Sequence, residues 1–397
     1  MQTEMKRRMS DAVLGMLVGA VNRIGIARMT RQRLVAPVAC LLLAAFAFAF
    51  AQGTHADAAP TSVDVTFASG DIELAGTLTL PGGPGPYPAL VTITGSGPQD
   101  RDNAHPSIPD YRPFAWLAEH LQSFGVAVLR FDERGVGESG GEFDGATSHD
   151  FALDVEAALA YLRARHEIDA DRLGLVGHSE GSMIAGIIAA RDPELAFVIS
   201  LAGASVDGFT LMRNQIANLA FTQAPSEEFA EHVVEMEIQA MELTLAEAWG
   251  ELEEHLFASY QVQFGMLPEE GRPPADQIEP LARQTAQQAA GRYQDAWFRF
   301  FLRYDPGQDW ELVTVPVLAV FAENDLQVDP ELNRGPLREA FERAGNEEAT
   351  IVTLERANHL FLESETGDAL EYAELEMAFA PGFLEIVTQW LEEHVLD

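Results

Sequence analysis

The chain is almost without lysine and cysteine: its 397 residues hold one of each, Lys6 and Cys40. A lone cysteine excludes an internal disulfide, and a product matured beyond Cys40 would have no thiol chemistry. Positive charge is scarce overall, with 25 Lys and Arg against 62 Asp and Glu and a formal net charge of −37. The imbalance is uneven. Residues 1–33 carry seven basic and two acidic side chains, a balance of +5, so the remainder carries −42 and contains no lysine. Such a surface repels nucleic-acid phosphates and anionic membranes, and neither is expected as a partner. It suits a well-solvated protein, and it also suits concentrated salt, where screening removes the self-repulsion. With 47% apolar residues the chain can fill a core, and its length allows one large domain or a domain with a sizeable insertion.

The basic N-terminus reads as an address. From Met29, an alternative translation start, the sequence MTRQRLVAPVACLLLAAFAFAFAQG has a basic stretch, an apolar run from Leu34 to Phe50 and the small-residue signal Ala49-Phe50-Ala51. The run is short for a stable membrane span. Residues 1–51 are therefore expected to be a cleavable export signal, with Ala56-Asp57-Ala58 as a second cleavage site. Cys40 lies too early in the run for a lipoprotein site. Export would place the mature protein in the periplasm or outside a bacterial cell, with no stable membrane partner after cleavage. An uncleaved anchor is the competing reading.

Residues 52–61 read as a linker, and 62–397 as the folded domain. VDVTFAS and IELAGTLTL alternate apolar and polar residues as two antiparallel strands do. YPALVTITG, VAVLRFDERG, RLGLVGHS and AFVISLAG are buried strands separated by helical segments. That alternation predicts an α/β fold, a mainly parallel sheet with helices on both faces. It stops near Ala204 and resumes at VPVLAVFAEND; the intervening helical, acidic segment, about 204–312, is expected to be a cap inserted before that strand.

Two serines fit G-x-S-x-G: Ser179 in GHSEG and Ser139 in GESGG. A nucleophile turn needs a strand before it, a helix after it and small residues two positions either side. Ser179 has LGLV before and GSMIAGIIAA after. Ser139 runs into GGEFDGATS, a loop, and reads as a turn serine. A serine hydroxyl needs a base, and the base an orienting acid, in the chain order Ser, Asp or Glu, His. His359, just past the strand ATIVTLE, is the expected base, whereas His394 reads as a surface residue of the last helix. Asp325, after VPVLAVFA, is the best-placed acid; Glu323, Asp329 and Asp207 are rivals. The oxyanion of such a reaction needs backbone donors. These are expected from Glu180 and from Ser96 in the loop GSGPQDRDN, with Gly97 as alternative to Ser96. Asp100, Arg101 and Asp102 read as a hydrogen-bonded clasp of that loop.

Together GSGPQDRD, FDERGVGES, GHSEG and END followed by NHLF resemble the α/β-hydrolases, and in particular bacterial carboxylesterases whose oxyanion loop reads GSGP-x-DRD. WFRFFLRYDP, before the acid strand, is similar to the same family. The resemblance spans roughly residues 62–396. It implies an α/β-hydrolase fold, a triad of Ser179, Asp325 and His359, a cap over the site, and hydrolysis of small carboxylic esters with neither metal nor organic cofactor. A peptidase or aminopeptidase on the same triad remains open, since the acidic cap has carboxylates to hold an amine. A thioesterase acting on coenzyme A esters fits poorly with an acidic entrance, and a non-catalytic binding protein fits poorly with a complete set of triad candidates. Acyl length, alcohol group and oligomeric state leave no mark on the sequence.

Overall fold

A computed structural model describes residues 59–105 and 107–396; the expected export signal and most of the linker lie outside them. Among the described residues, no helix is long and apolar enough to cross a membrane. An eight-stranded sheet forms the centre: β1 (Thr61–Ser69), β2 (Ile72–Leu80), β3 (Tyr87–Ile93), β4 (Ala127–Phe131), β5 (Ile168–His178), β6 (Phe197–Leu201), β7 (Val317–Ala322) and β8 (Ala349–Leu354). Their order is β1-β2-β4-β3-β5-β6-β7-β8. β1 pairs antiparallel with β2, and β2 with β4; every other pairing is parallel. Thr61, the last residue assigned to the linker, is already in register with Leu80 on β2. The hairpin strands alternate apolar and polar residues because one face of the sheet meets water there, whereas the apolar runs of β4, β6 and β7 are buried throughout.

Period-2 side-chain alternation splits the core between two faces. On β5, Leu173 and Leu175 face one apolar cluster and Val176 the other; on β3, Val91 and Leu90 divide likewise. The first face is covered by α2 (Ser148–Arg163), α3 (Glu180–Ala189) and α10 (Pro330–Ala344), the second by α1 (Pro113–Gln122) and α11 (Phe383–Leu391). α2 starts at a reciprocal capping box between Thr147 and Asp150.

Between β6 and β7 the chain forms α4 (Gly208–Gln223), α5 (Glu227–Leu245), α6 (Trp249–Met266), α7 (Ala275–Gln294), α8 (Ala296–Arg303) and the short α9 (Gly307–Trp310). Capping explains where several begin: Asp207, Ser226 and Asp295 each accept a backbone amide at the first turn of α4, α5 and α8. A partly buried polar group binds these helices to one another, with Glu237 accepting from Arg292 at 2.7 Å and from the Tyr293 hydroxyl at 2.6 Å.

Candidate active site

β5 ends at His178 and α3 begins at Glu180, so Ser179 is the single residue of the turn between them. Its backbone sits at φ 55°, ψ −117°, a region that costs a non-glycine residue about 1–3 kcal/mol. The turn is held by the Ser179 amide donating to Leu201 O at 2.9 Å and the Ser182 amide donating to Ser179 O at 3.0 Å. Space, more than φ, dictates the flanking glycines. A Cβ on Gly177 would lie 2.1 Å from Gly181 O, and one on Gly181 would lie 2.2 Å from Ile93 O. The strand–turn–helix geometry thus requires the small residues that the sequence supplies. Ser179 is half-buried, while its neighbours His178 and Glu180 are buried.

The loop after β8 brings His359 against the loop after β7. His359 Nδ1 donates to Asp325 Oδ2 at 2.8 Å, and both side chains are buried. Asp325 Oδ1 accepts the amides of Gln327 at 2.8 Å and Val328 at 2.9 Å, so the carboxylate is fixed from two sides. The rival acids are engaged elsewhere. Glu323 accepts the Arg356 amide, Asp329 caps α10 through Glu331, and Asp207 caps α4 through Thr210. His394 Nδ1 donates to Trp390 O at 2.9 Å and the ring stacks on that of Trp390 at 4.6 Å, leaving it half-buried instead of freely solvated.

His178 links the serine turn to the histidine loop. Its ring lies 4.8 Å from that of His359, and its Nε2 is 2.8 Å from His359 O. Burial, with His359 alongside, pushes the His178 pKa down to about 3, so its ring is neutral. Among the described residues the Ser179 hydroxyl has no hydrogen-bond partner; bonds of this kind often close only around a substrate.

The loop after β3 passes beside the turn, a Cβ on Gly95 falling 3.3 Å from Ser179 Cβ. The backbone amides of Ser96 and Glu180 have no hydrogen-bond partner among the described residues, and Glu180 opens a helix whose N-terminal dipole favours negative charge. Two buried acids hold the loop from below. Glu133 accepts from the Thr94 hydroxyl and from the Gln99 amide at 2.8 Å; burial pushes its pKa well up. Asp132 accepts from the Arg101 amide at 2.8 Å and from its guanidinium at 3.0 and 2.7 Å. Burial raises the Asp132 carboxyl, but these bonds outweigh it and hold the pKa below the usual value. Asp102 pairs with Arg130, and Asp100 accepts the amides of Asp102 and Ala104. The Asp-Arg-Asp stretch is a clasp, as expected. Ser139 lies in the supporting layer too: its hydroxyl donates to Asp132 O at 2.6 Å and accepts the Ala75 amide at 2.9 Å.

Sequence reasoning gave the side chains of His178 and Glu180 no task. Their partners lie far along the chain: Asn103 and His359 for the first, Ser148 and Trp297 for the second. No local signal could reveal them. Among the described residues, no group of three or more His, Cys, Asp or Glu is arranged to hold a metal ion.

A sequence model of the alpha/beta hydrolase family matches residues 105–374. The chain is 26% identical over 293 residues to Esterase EstD of Thermotoga maritima, covering 74% of this chain but only 59% of that protein's length. Among solved structures it is similar to an esterase of Pyrococcus furiosus, with TM-score 0.51, 15% identity, and 85% of this chain and 92% of that one covered. It is also similar to a proline iminopeptidase of Mycobacterium smegmatis, with TM-score 0.50, 20% identity and 84% and 99% coverage. At these identities the structural likenesses speak for the fold alone.

Proposed function

Because the chain belongs to the alpha/beta hydrolase family, we propose that it is a serine carboxylesterase cleaving small esters through Ser179, His359 and Asp325. The observation that carries the reading is the buried Asp325–His359 pair beside a strained serine turn. The loop GSGPQDRD supports a carboxylesterase of the GSGP-x-DRD type, and the partial likeness to a Thermotoga maritima esterase points the same way.

In this mechanism His359 Nε2 takes the Ser179 proton as the hydroxyl attacks the ester carbonyl. Asp325, bonded to Nδ1, holds the tautomer that leaves Nε2 free and stabilises the imidazolium. The Ser96 and Glu180 amides receive the oxyanion, adding to the field of the α3 N-terminus. The tetrahedral intermediate collapses, the alcohol departs with the proton from His359, and the acyl group remains on Ser179. Water, deprotonated by His359, then releases the acid and restores the serine. Export through residues 1–51 belongs to the same proposal; N-terminal sequencing of the secreted product should begin after Ala51 or Ala58, and a product starting at Met1 or Met29 would refute cleavage.

The test is a panel of p-nitrophenyl esters against aminoacyl p-nitroanilides, with Ser179→Ala as control. Ester turnover lost in the variant is the expected result. Turnover of anilides alone would replace this reading with that of a peptidase.

A further inference from the structure

Glu180 has a side chain that a backbone oxyanion donor does not require. Its carboxyl is buried, with the residue 5% exposed, and burying such a group is costly unless it is hydrogen-bonded. Oε1 accepts from the Ser148 hydroxyl at 2.6 Å and from Trp297 Nε1 at 2.7 Å. Burial raises the pKa of this carboxyl, and its hydrogen-bond donors draw it down.

These two donors come from separate parts of the fold. Ser148 opens α2, and Trp297 lies on cap helix α8. Trp297 in turn stacks on Phe301 at 5.2 Å within α8. One side chain therefore joins the serine turn to α2 and to the cap. The same residue supplies one of the oxyanion amides.

We propose that the Glu180 side chain is a positioning residue: it ties α2 and cap helix α8 to the serine turn and so sets the position of the oxyanion amide that Glu180 itself supplies. This rests on the esterase reading above. A small misplacement of such donors lowers kcat more than KM, because the oxyanion exists only beyond the ground state.

The experiment measures kcat and KM of Glu180→Ala, Glu180→Gln and Trp297→Phe on p-nitrophenyl esters, per active site titrated with a fluorophosphonate. In Glu180→Ala, kcat falls about 10- to 100-fold while KM for the acetate ester changes less than about 2-fold. Glu180→Gln recovers most of kcat, because the amide oxygen accepts the same Ser148 and Trp297 bonds. Trp297→Phe, which removes one of the two ties, falls between. The proposal is overturned if Glu180→Ala keeps its per-site kcat, or if Gln rescues no better than Ala. Should Glu180→Ala not fold, the Gln and Phe variants decide: equal, large losses of kcat in both contradict the proposal. A wild-type protein that neither turns over esters nor reacts with the probe defeats the esterase reading itself, and the proposal with it.

Discussion

His178 Nε2 donates its proton to the backbone carbonyl of His359, 2.8 Å away. The neighbouring carbonyl fixes the tautomer, because only a protonated Nε2 can face it. With the ring neutral, Nδ1 must then accept, and it faces Asn103 Nδ2 at 3.4 Å. The residue before the serine therefore anchors the loop that carries the proposed base.

This anchoring predicts a pH dependence. The His178 pKa drops from 6.5 unfolded to about 3 folded, so below pH 6.5 the unfolded chain binds a proton that the native ring refuses. Stability from this group is complete above pH 6.5 and is lost as the pH falls toward 3, by about 5 kcal/mol at most. Glu133 and Glu180, raised by burial, have the opposite sign and lose their contribution as pH rises above the usual carboxylate range. Chemical denaturation of wild type and His178→Gln, compared from pH 7 to 4, isolates the histidine. The wild type should lose stability relative to the variant as pH falls; parallel curves would contradict the assignment.

The two serines of the repeated pattern should part company on substitution. Ser139→Ala removes two hydrogen bonds to backbone and should cost about 1–3 kcal/mol while keeping ester turnover per folded molecule. Ser179→Ala keeps the Cβ and the same turn, so it should keep its stability and lose turnover. Urea melts and p-nitrophenyl acetate rates on both variants make the comparison.

Arg101 should matter to folding before it matters to chemistry. Removing it leaves the buried Asp132 carboxylate, 4% exposed, with only its backbone donors. The expected cost of Arg101→Ala is about 3 kcal/mol, with Arg101→Lys recovering part of it. A variant of full stability but abolished turnover would instead make Arg101 part of the reaction.

Glycine to alanine at 177 or 181 sets a Cβ against backbone at 2.1 or 2.2 Å. Either change should destabilise by about 3 kcal/mol or more, measured by thermal melts; unchanged melting would mean the turn is built differently.

Much of the fold was legible in the sequence. Apolar runs such as VLAVFA in β7 and the helix period between strands gave a mainly parallel sheet covered on both faces, and strand-then-helix context separated Ser179 from Ser139. The chain order of serine, acid and histidine brought Asp325 and His359 together as candidates before their 2.8 Å contact was seen. The order of strands in the sheet was not legible, because it depends on pairings such as β2 with β4 that lie some fifty residues apart. Nor were the roles of the His178 and Glu180 side chains, since Trp297 reaches Glu180 from 117 positions away.

Intact-protein mass spectrometry after treatment with a fluorophosphonate, followed by peptide mapping, tests the central claim most directly. The account predicts a single adduct on Ser179 in the wild type, its absence in Ser179→Ala, and much slower labelling in His359→Ala. An unlabelled wild type, or an adduct that persists in Ser179→Ala, would contradict it.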